Sequence, residues 1–177
     1  YTLNKDQLRE VTNRVKEAAD RDKDVAEEDV IAFATEILAN LTPDEQLVTL
    51  REVSVMTGNG FTPSATIKLD LRGREVVGTA VGVGPVDAAA HALQSILSSE
   101  LGPDLRLKEY ALKAVTGGTD ALANANITFS DAEGTRFQGA AIHSDVILAS
   151  VLAMVQGANR AVNFRRRLSE AAKNPTT

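Results

Sequence analysis

The stretch Val81-Gly82-Val83-Gly84-Pro85-Val86-Asp87-Ala88-Ala89-Ala90 decides the fold. An alternating apolar run ends at Val81, a Gly-x-Gly turn exposes backbone, and Pro85 sits where a first helical residue loses nothing by lacking an N–H. A second junction of this kind, Gln138-Gly139-Ala140-Ala141-Ile142-His143-Ser144-Asp145-Val146-Ile147, follows about sixty residues later. The two junctions predict a duplicated module of strands feeding helices.

Upstream of the first junction the apolar period is two. Leu47, Thr49, Arg51, Val53 and Val55 alternate with Val48, Leu50, Glu52 and Ser54 in a strand pattern that begins at Gln46. After Gly58-Asn59-Gly60, Ala65, Ile67, Leu69 and Leu71 alternate with Thr66, Lys68, Asp70 and Arg72, a strand with one solvated face. Arg72-Gly73-Arg74 reads as a hairpin turn, and residues 75–81 as a third strand. A helix over 85–98 follows, with Val86, Ala89, Leu93, Ile96 and Leu97 inward, stopped by Leu101-Gly102-Pro103-Asp104.

The order then repeats. Residues 105–115 read as a strand, Thr116-Gly117-Gly118-Thr119-Asp120 as a turn, and Ala125, Ile127 and Phe129 as the inward set of the next strand. Asp131-Ala132-Glu133-Gly134 is a hairpin turn, residues 135–142 a strand, and a helix opens near Ser144-Asp145. Gly73 matches Gly134, Gly78 matches Gly139 and Ala88 matches Ala149. The predicted class is α+β, a βββα unit twice over with a pseudo-twofold relation. The second helix carries Val151, Leu152, Val155, Ala158 and Val162 on one stripe; residues 171–177 read as a frayed tail.

Ahead of the module, Asn4-Lys5-Asp6-Gln7 has the form of a capping box before Leu8, Val11, Val15 and Ala18 at helical spacing. The polar run Asp20-Arg21-Asp22-Lys23 ends that helix. Asp24-Val25-Ala26-Glu27 reads as a second box before a stripe of Val30, Ile31, Ala34, Ile37, Leu38 and Leu41. Thr42-Pro43-Asp44 is a boundary. Residues 1–44 are thus expected to form a helical linker subdomain and 45–177 the module. Two readings of the helical pair stand level: packing on the module, or a hinge to a preceding part of a longer protein. The first residue is Tyr rather than Met, so an excised fragment is expected.

Composition narrows the function classes. A net charge of −5 with interspersed signs argues against a nucleic-acid or anionic-membrane surface. The absence of cysteine removes disulfides, thiolate catalysis and Cys-ligated metal, and suits the cytoplasm. The longest apolar run, 146–155, is short for a bilayer span. Two separated histidines make an intrinsic metal site unexpected; no cofactor is expected.

Gly82-Val83-Gly84 ahead of a helix is built to approach an anion through backbone N–H groups. The competing reading is a tight turn with no ligand. There is no third glycine for a dinucleotide, no Gly-Lys-Ser/Thr, and no Lys or Arg between Glu75 and Leu105, so a single carboxylate suits the loop better than a polyphosphate. Asp87 and His91, four apart, read as an exposed helix pair rather than an acid–base dyad. His143 reads as a turn residue, and the arginines 165–167 as complements to a helix C-terminus.

Four segments in order, Gly-Val-Gly-Pro-Val-Asp-Ala-Ala at 82–89, Val-Thr-Gly-Gly-Thr-Asp-Ala at 115–121, Ser-Asp-Val-Ile-Leu-Ala-Ser at 144–150 and Asn159-Arg160, resemble one family. They look like the C-terminal regulatory, allosteric and dimerising domain of 2-isopropylmalate synthase and its citramalate and homocitrate synthase relatives. Residues 1–41 resemble the small helical subdomain that precedes it. The resemblance implies a homodimer, a metal-dependent barrel that condenses acetyl-CoA with a 2-oxoacid and is missing from this chain, and an end-product amino acid bound near a twofold interface. Leucine is the expected effector, with isoleucine the alternative. The residues suit a small aliphatic zwitterion: backbone N–H groups at Gly84 to Val86, in a loop shaped by Gly82 and Pro85, for its carboxylate, Asp120, Asp145 or carbonyls near Ala121 for its ammonium, and Val86, Ala121, Ala123 and Val146 for its side chain. Val83, and Ala123-Asn124 after the Thr-Asp-Ala segment, depart from the common family pattern. The rivals are a purely structural dimerisation domain and, most weakly, a stand-alone enzyme using His91 or His143.

Overall fold

The computed structural model describes residues 3–20, 25–39, 45–101, 104–115 and 121–173. The order is α1 (Lys5–Ala19), α2 (Glu27–Ala39), β1 (Val48–Met56), β2 (Ser64–Leu71), β3 (Arg74–Val81), α3 (Pro85–Leu101), β4 (Arg106–Ala114), β5 (Ala123–Ser130), β6 (Arg136–His143) and α4 (Val146–Lys173). The predicted α+β duplication, βββα twice after two helices, is the observed architecture. Each repeat forms its own three-stranded antiparallel sheet, β1-β2-β3 and β4-β5-β6.

The repeats agree down to their irregularities. A bulge interrupts β1 between Leu50 and Glu52, and β4 between Leu107 and Glu109. Ile67 stands opposite Gly78, and Ile127 opposite Gly139. Asp70 accepts from Gly73 N–H at 2.7 Å across the first hairpin turn, and Asp131 accepts from Thr135 N–H at 2.7 Å across the second. Arg72 and Gly73 both have positive φ, the two-residue turn whose twist matches that of the flanking strands.

One core joins the halves. Ala65, Ile67 and Leu69 of β2, Ala125, Ile127 and Phe129 of β5, and the apolar faces of α3 and α4 belong to a single buried cluster. α3 packs on β3 and β2, α4 on β6 and β5, and the helices pack on each other, so they form a middle layer between the sheets. The matched glycines have a physical reason here. A Cβ at Gly78 would stand 2.5 Å from Ala92 O, and one at Gly139 2.0 Å from Ala153 O, so each helix rides directly on its third strand. Ala88 and Ala149 are both fully buried. α4 is long and apolar enough to cross a membrane by length and composition, which the apolar run alone did not indicate. Twelve of its residues, from Ala149 to Asn163, are buried inside the protein, which marks it as a core helix.

The helical pair lies on the outer face of the second sheet. Ala141 of β6 faces the main core; Ile142 faces the other way and packs with Ala18 and Phe33, joined by Val15, Val25, Val115 and Leu122. The first capping box forms as predicted, Gln7 N–H to Asn4 Oδ1 at 2.8 Å and Asn4 N–H to Gln7 Oε1 at 3.0 Å.

Several boundaries differ from expectation. The second helix is entered at Ala26, whose N–H is accepted by Asp29 at 2.9 Å; a carboxylate three residues on reaches back, in a register shifted from the predicted one. Phe33 and Ile37 are its buried apolar residues, while Leu8 and Ile31 remain exposed. α3 runs to Leu101 and α4 to Lys173, so 171–173 is helix and not frayed tail. No glycine or proline interrupts 169–173, and Arg166 pairs with Glu170 at 4.0 Å. Arg21-Asp22-Lys23, Asp24, Leu41, Thr42-Pro43-Asp44, Gly102-Pro103, the Thr116-Gly117-Gly118-Thr119-Asp120 turn and residues 174–177 lie outside the described residues.

Candidate functional site

Both strand-to-helix junctions open at one end of the first sheet. Met56, Ser64 and Val81 stand in one row across β1, β2 and β3, and Val81 leads into the Gly82 turn. At the β1 side of that end, Val53 and Val55 share a hollow with Asp145, Ile147 and Leu148. The N-terminus of α4 therefore lies beside β1, two strands away in the sheet from the Gly82 turn that leaves β3.

At the first junction Gly84 O accepts from Ala88 N–H at 2.9 Å, which makes Gly84 the N-cap, Pro85 the first helical residue, and Val86 and Asp87 the next two. Glycine offers no capping side chain, and a Cβ there would meet nothing within 4 Å. The N–H groups of Val86 and Asp87 receive no side-chain cap among the described residues. Pro85 has no N–H, so Gly84 and Val86 are the donors that remain of the predicted cradle. Gly82 has a different reason: a Cβ would stand 2.4 Å from Ala88 N and 2.6 Å from Asp87 Oδ2, so the turn is folded onto the helix. Asp87 accepts from Val83 N–H at 2.9 Å and lies 3.7 Å from His91 Nε2. His91 Nδ1 donates to Val81 O at 3.0 Å. The Asp87–His91 pair is the exposed helix pair that its spacing predicts. Val83 is 95% exposed.

The second junction is closed by its own carboxylate. Asp145 Oδ1 accepts from Ile147 N–H at 2.7 Å and Leu148 N–H at 2.9 Å, and Asp145 N–H donates to His143 Nδ1 at 2.8 Å. His143 is thus the last residue of β6 and not the turn residue that its place before the helix suggested, with Nδ1 as acceptor. Ala123 pairs with both Ala114 and His143 and is buried. Ala121 is half-buried and Val146 exposed at the same end of the second sheet. Asp120 lies outside the described residues. Of the predicted residues, Gly82, Gly84, Pro85 and Val86 form one group, and Ala121, Ala123, Asp145 and Val146 another.

Sequence reasoning missed the wall contributed by β1. The hollow at the head of α4 measures about 560 Å3 and is lined by Leu50, Val53, Val55, Ile147, Leu148 and Leu152, with Asp145, Arg51 and Glu52 bringing charge to it. Arg51 is paired to Asp70 at 2.8 Å and Glu52 to Lys68 at 3.2 Å. The pairing draws the Asp70 carboxyl below its usual range. Nothing in the local sequence of β1 announced this contact, because it depends on α4 crossing to the other repeat.

α4 makes that crossing with a polar row. Asn159 accepts from Val48 N–H at 2.7 Å and donates back to Val48 O at 2.6 Å; Asn163 donates to Glu45 O at 2.7 Å. From the same helix Gln156 accepts from Ala140 N–H at 2.7 Å, and Arg160 donates to Gln138 O. Outside this row, Glu36 of α2 accepts from Ile142 N–H at 3.2 Å and pairs with Arg14 at 3.2 Å. Burial pushes the Glu36 carboxyl up, against the pull of Arg14 and the Ile142 N–H.

A family model described as the LeuA allosteric (dimerisation) domain matches residues 24–162. A "Probable 2-isopropylmalate synthase" of Methanopyrus kandleri is 45% identical over 93% of the chain and 33% of its own length. The "2-isopropylmalate synthase" of Methanocaldococcus jannaschii is 36% identical over 93% of the chain and 31% of its own. A "Putative (R)-citramalate synthase CimA" of Methanosarcina mazei is 40% identical over 88% of the chain and 32% of its own. The chain spans about a third of the length of the curated relatives it matches.

Proposed function

The chain belongs to the LeuA allosteric (dimerisation) domain family, and from that premise we propose that it binds a branched-chain amino acid and thereby restrains an attached 2-isopropylmalate synthase. The coarse role, a regulatory and dimerisation domain of the synthase family, follows from membership. The effector, the feedback and the parent reaction, condensation of acetyl-CoA with a 2-oxoacid, are the proposal. Leucine is the favoured effector. Isoleucine is the second reading, supported by the similarity to a relative named as a citramalate synthase.

The observation that carries the reading is the aliphatic hollow at the head of α4, with a carboxylate at its rim and an uncapped helix N-terminus at the same end of the sheet. Its size falls in the range of small-molecule sites. Leu50, Val53, Val55 and Leu152 offer walls to a branched side chain. The free oxygen of Asp145 meets an ammonium, and the Gly84 and Val86 N–H groups meet a carboxylate. Gly82 and Pro85 shape that loop, and Ala121, Ala123 and Val146 back the second half. Asp120, by the family resemblance, is a further partner for the ammonium.

Calorimetry with leucine, isoleucine, valine and lysine tests this. Saturable heat, greatest in affinity for leucine, is expected; no saturable heat from any of them sinks effector binding. Gly84→Asp sharpens the test. An aspartate N-cap closes the Val86 and Asp87 N–H groups as Asp145 closes its own helix, so the fold holds or gains slightly while effector binding is lost.

A further inference from the structure

The arginines 165–167 do not sit at a helix C-terminus, as their place in the sequence suggested. α4 continues to Lys173, so Arg165 and Arg166 stand about two turns before its end, where the macrodipole gives a cation little. With Ala88 matched to Ala149, Leu101 matches Val162, and the stretch from Asn163 to Lys173 carries α4 past the point where α3 stops. That extension passes the β2–β3 hairpin of the first repeat. Val162 and Arg165 share a hollow of about 430 Å3 with Leu71, Arg72, Arg74 and Glu100. Arg165, Arg166, Ser169, Glu170 and Lys173 share one of about 350 Å3 with Arg72. Arg72 and Arg165 line both hollows, which makes them one cleft.

Arg72, Arg74, Arg165, Arg166 and Lys173 line this cleft against Glu100 and Glu170, an excess of three positive charges in a chain whose net charge is −5. Arg74 is paired with Glu100. Arg72 and Lys173 make no ion pair among the described residues. Arg166 Nε is buried without a hydrogen bond among the described residues, and the Glu170 carboxylate stands 4.0 Å from it. Arg72 also holds its backbone at φ 54°, the left-handed region where glycine, asparagine and aspartate serve a two-residue turn best. An arginine kept there against that preference marks a position held for its side chain. The turn is fixed in advance: Arg72 N–H donates to Leu47 O at 2.9 Å and Gly73 N–H to Asp70 at 2.7 Å. The corresponding turn of the second repeat, Asp131-Ala132-Glu133-Gly134, carries acids instead.

We propose that this cleft binds a multiply charged phosphate group, a diphosphate or longer, held by the guanidinium groups of Arg72, Arg165 and Arg166 and by the Lys173 ammonium. A lone carboxylate would leave most of the excess charge unmatched. Guanidinium forks meet phosphate oxygens bidentately, and a tetrahedral phosphorus offers those oxygens in more than one direction. Arg165 and Arg166 are half-buried, so salt screens them less than fully exposed charges. Hollows of this size fall in the range of small-molecule sites. The charge is confined to one cleft, which suits a small anion and not the extended backbone of a nucleic acid.

The inference stands apart from the amino-acid reading, since neither Arg72 nor Arg165 lines the hollow at the head of α4. Calorimetry of the 177-residue chain with pyrophosphate, ATP and inorganic phosphate tests it. Pyrophosphate and ATP should give saturable heat, and inorganic phosphate a weaker one. ATP binding more tightly than pyrophosphate assigns the phosphate to a nucleotide, and equal affinity assigns it to a free polyphosphate; both outcomes support the site. Arg72→Gly removes one cation and also relieves the left-handed φ, so it should melt as wild type does or above it. It should weaken pyrophosphate about tenfold, the loss of one charge-assisted contact. Arg165→Gln should weaken it likewise; if that variant unfolds early, Arg72→Gly alone decides. No saturable heat from any of the three anions, unchanged affinity in a folded Arg72→Gly, or citrate binding as tightly as pyrophosphate overturns the phosphate site.

Discussion

Gly139→Ala puts the stacking of helix on strand to a quantitative test. The added methyl would stand 2.0 Å from the carbonyl oxygen of Ala153 and 2.7 Å from the amide nitrogen of Gly157, against the 3.4 Å at which ordinary contact begins. Both obstacles are backbone in the buried middle of α4, so no rotamer change relieves them. The helix must lift off β6, and the cluster of Ile127, Phe129 and Met154 must loosen with it. Overpacking of this kind costs about 1–3 kcal/mol when side chains can adjust. With backbone on the far side the upper end applies, about 3 kcal/mol, which for a chain of this size lowers Tm by roughly 6–12 °C. Gly78→Ala is the internal control. Its methyl meets Ala92 O at 2.5 Å, but the next contacts are the side chains of Ile96 and Ser95, so the loss should be smaller. Gly84→Ala meets nothing, and since alanine is a poorer N-cap than glycine it should cost only about 0.5–1 kcal/mol. Thermal unfolding followed by circular dichroism ranks the three. A Gly139→Ala protein melting within 2 °C of wild type, or melting above Gly78→Ala, would refute the argument.

Three more outcomes follow from the same geometry. Asn159→Leu keeps the volume but strands the N–H and C=O of Val48, and urea unfolding should report a loss of about 2–5 kcal/mol; a loss below 1 kcal/mol means the edge finds water instead. Asp145→Asn preserves the cap and should hold stability within about 0.5 kcal/mol, whereas Asp145→Ala costs about 1 kcal/mol; calorimetry should show both weakening the proposed effector, and unchanged affinity in Asp145→Asn removes its carboxylate from the site. Glu36 has a folded-state carboxyl raised by burial, so the folded protein holds that proton more tightly than the unfolded chain does. Its contribution becomes less favourable as pH rises from the ordinary glutamate range through the raised value. Wild type should therefore gain on Glu36→Gln as pH falls from 7 to 4, and a constant difference in Tm across that range contradicts the assignment.

Periodicity made the doubled βββα legible, and so did the paired glycines, because strand alternation and close helix approach are local demands. Gly78 and Gly139 could be matched from sequence before the reason for either was visible. Cross-repeat contacts were not legible. Val53 and Val55 read as one face of a strand with Leu50 on the other; the bulge between Leu50 and Glu52 brings all three to one side, and only the path of α4 sets them beside Asp145. The capping box at Asn4 was read correctly because its two partners are local. The entry to α2 was misregistered because Asp24-Val25-Ala26-Glu27 carries the same three-residue spacing as Ala26 and Asp29, the pair that forms. Among the candidate site residues, Asp145 was recognised by position yet carries a first duty as helix cap, and Ala123 is buried beneath the end of its sheet.

The unequal helices explain why a doubled unit is not a symmetric one. A repeat that buries one face of its sheet on its own helix still exposes an edge strand, and two repeats expose two. In the second repeat the helix carries Gln156, Asn159, Arg160 and Asn163 at spacings of three and four, a single polar row that spans from the edge of β6 to the edge of β1. That row closes the first repeat's edge at Val48. In the first repeat the matching positions are Ser95, Ser98, Ser99 and Gly102, and Ser95 and Ser99 donate to carbonyls of their own helix. One set of substitutions on one helix face thus sets the two halves apart. A symmetric pair of serine rows would leave both edges open, and a symmetric pair of amide rows would close both.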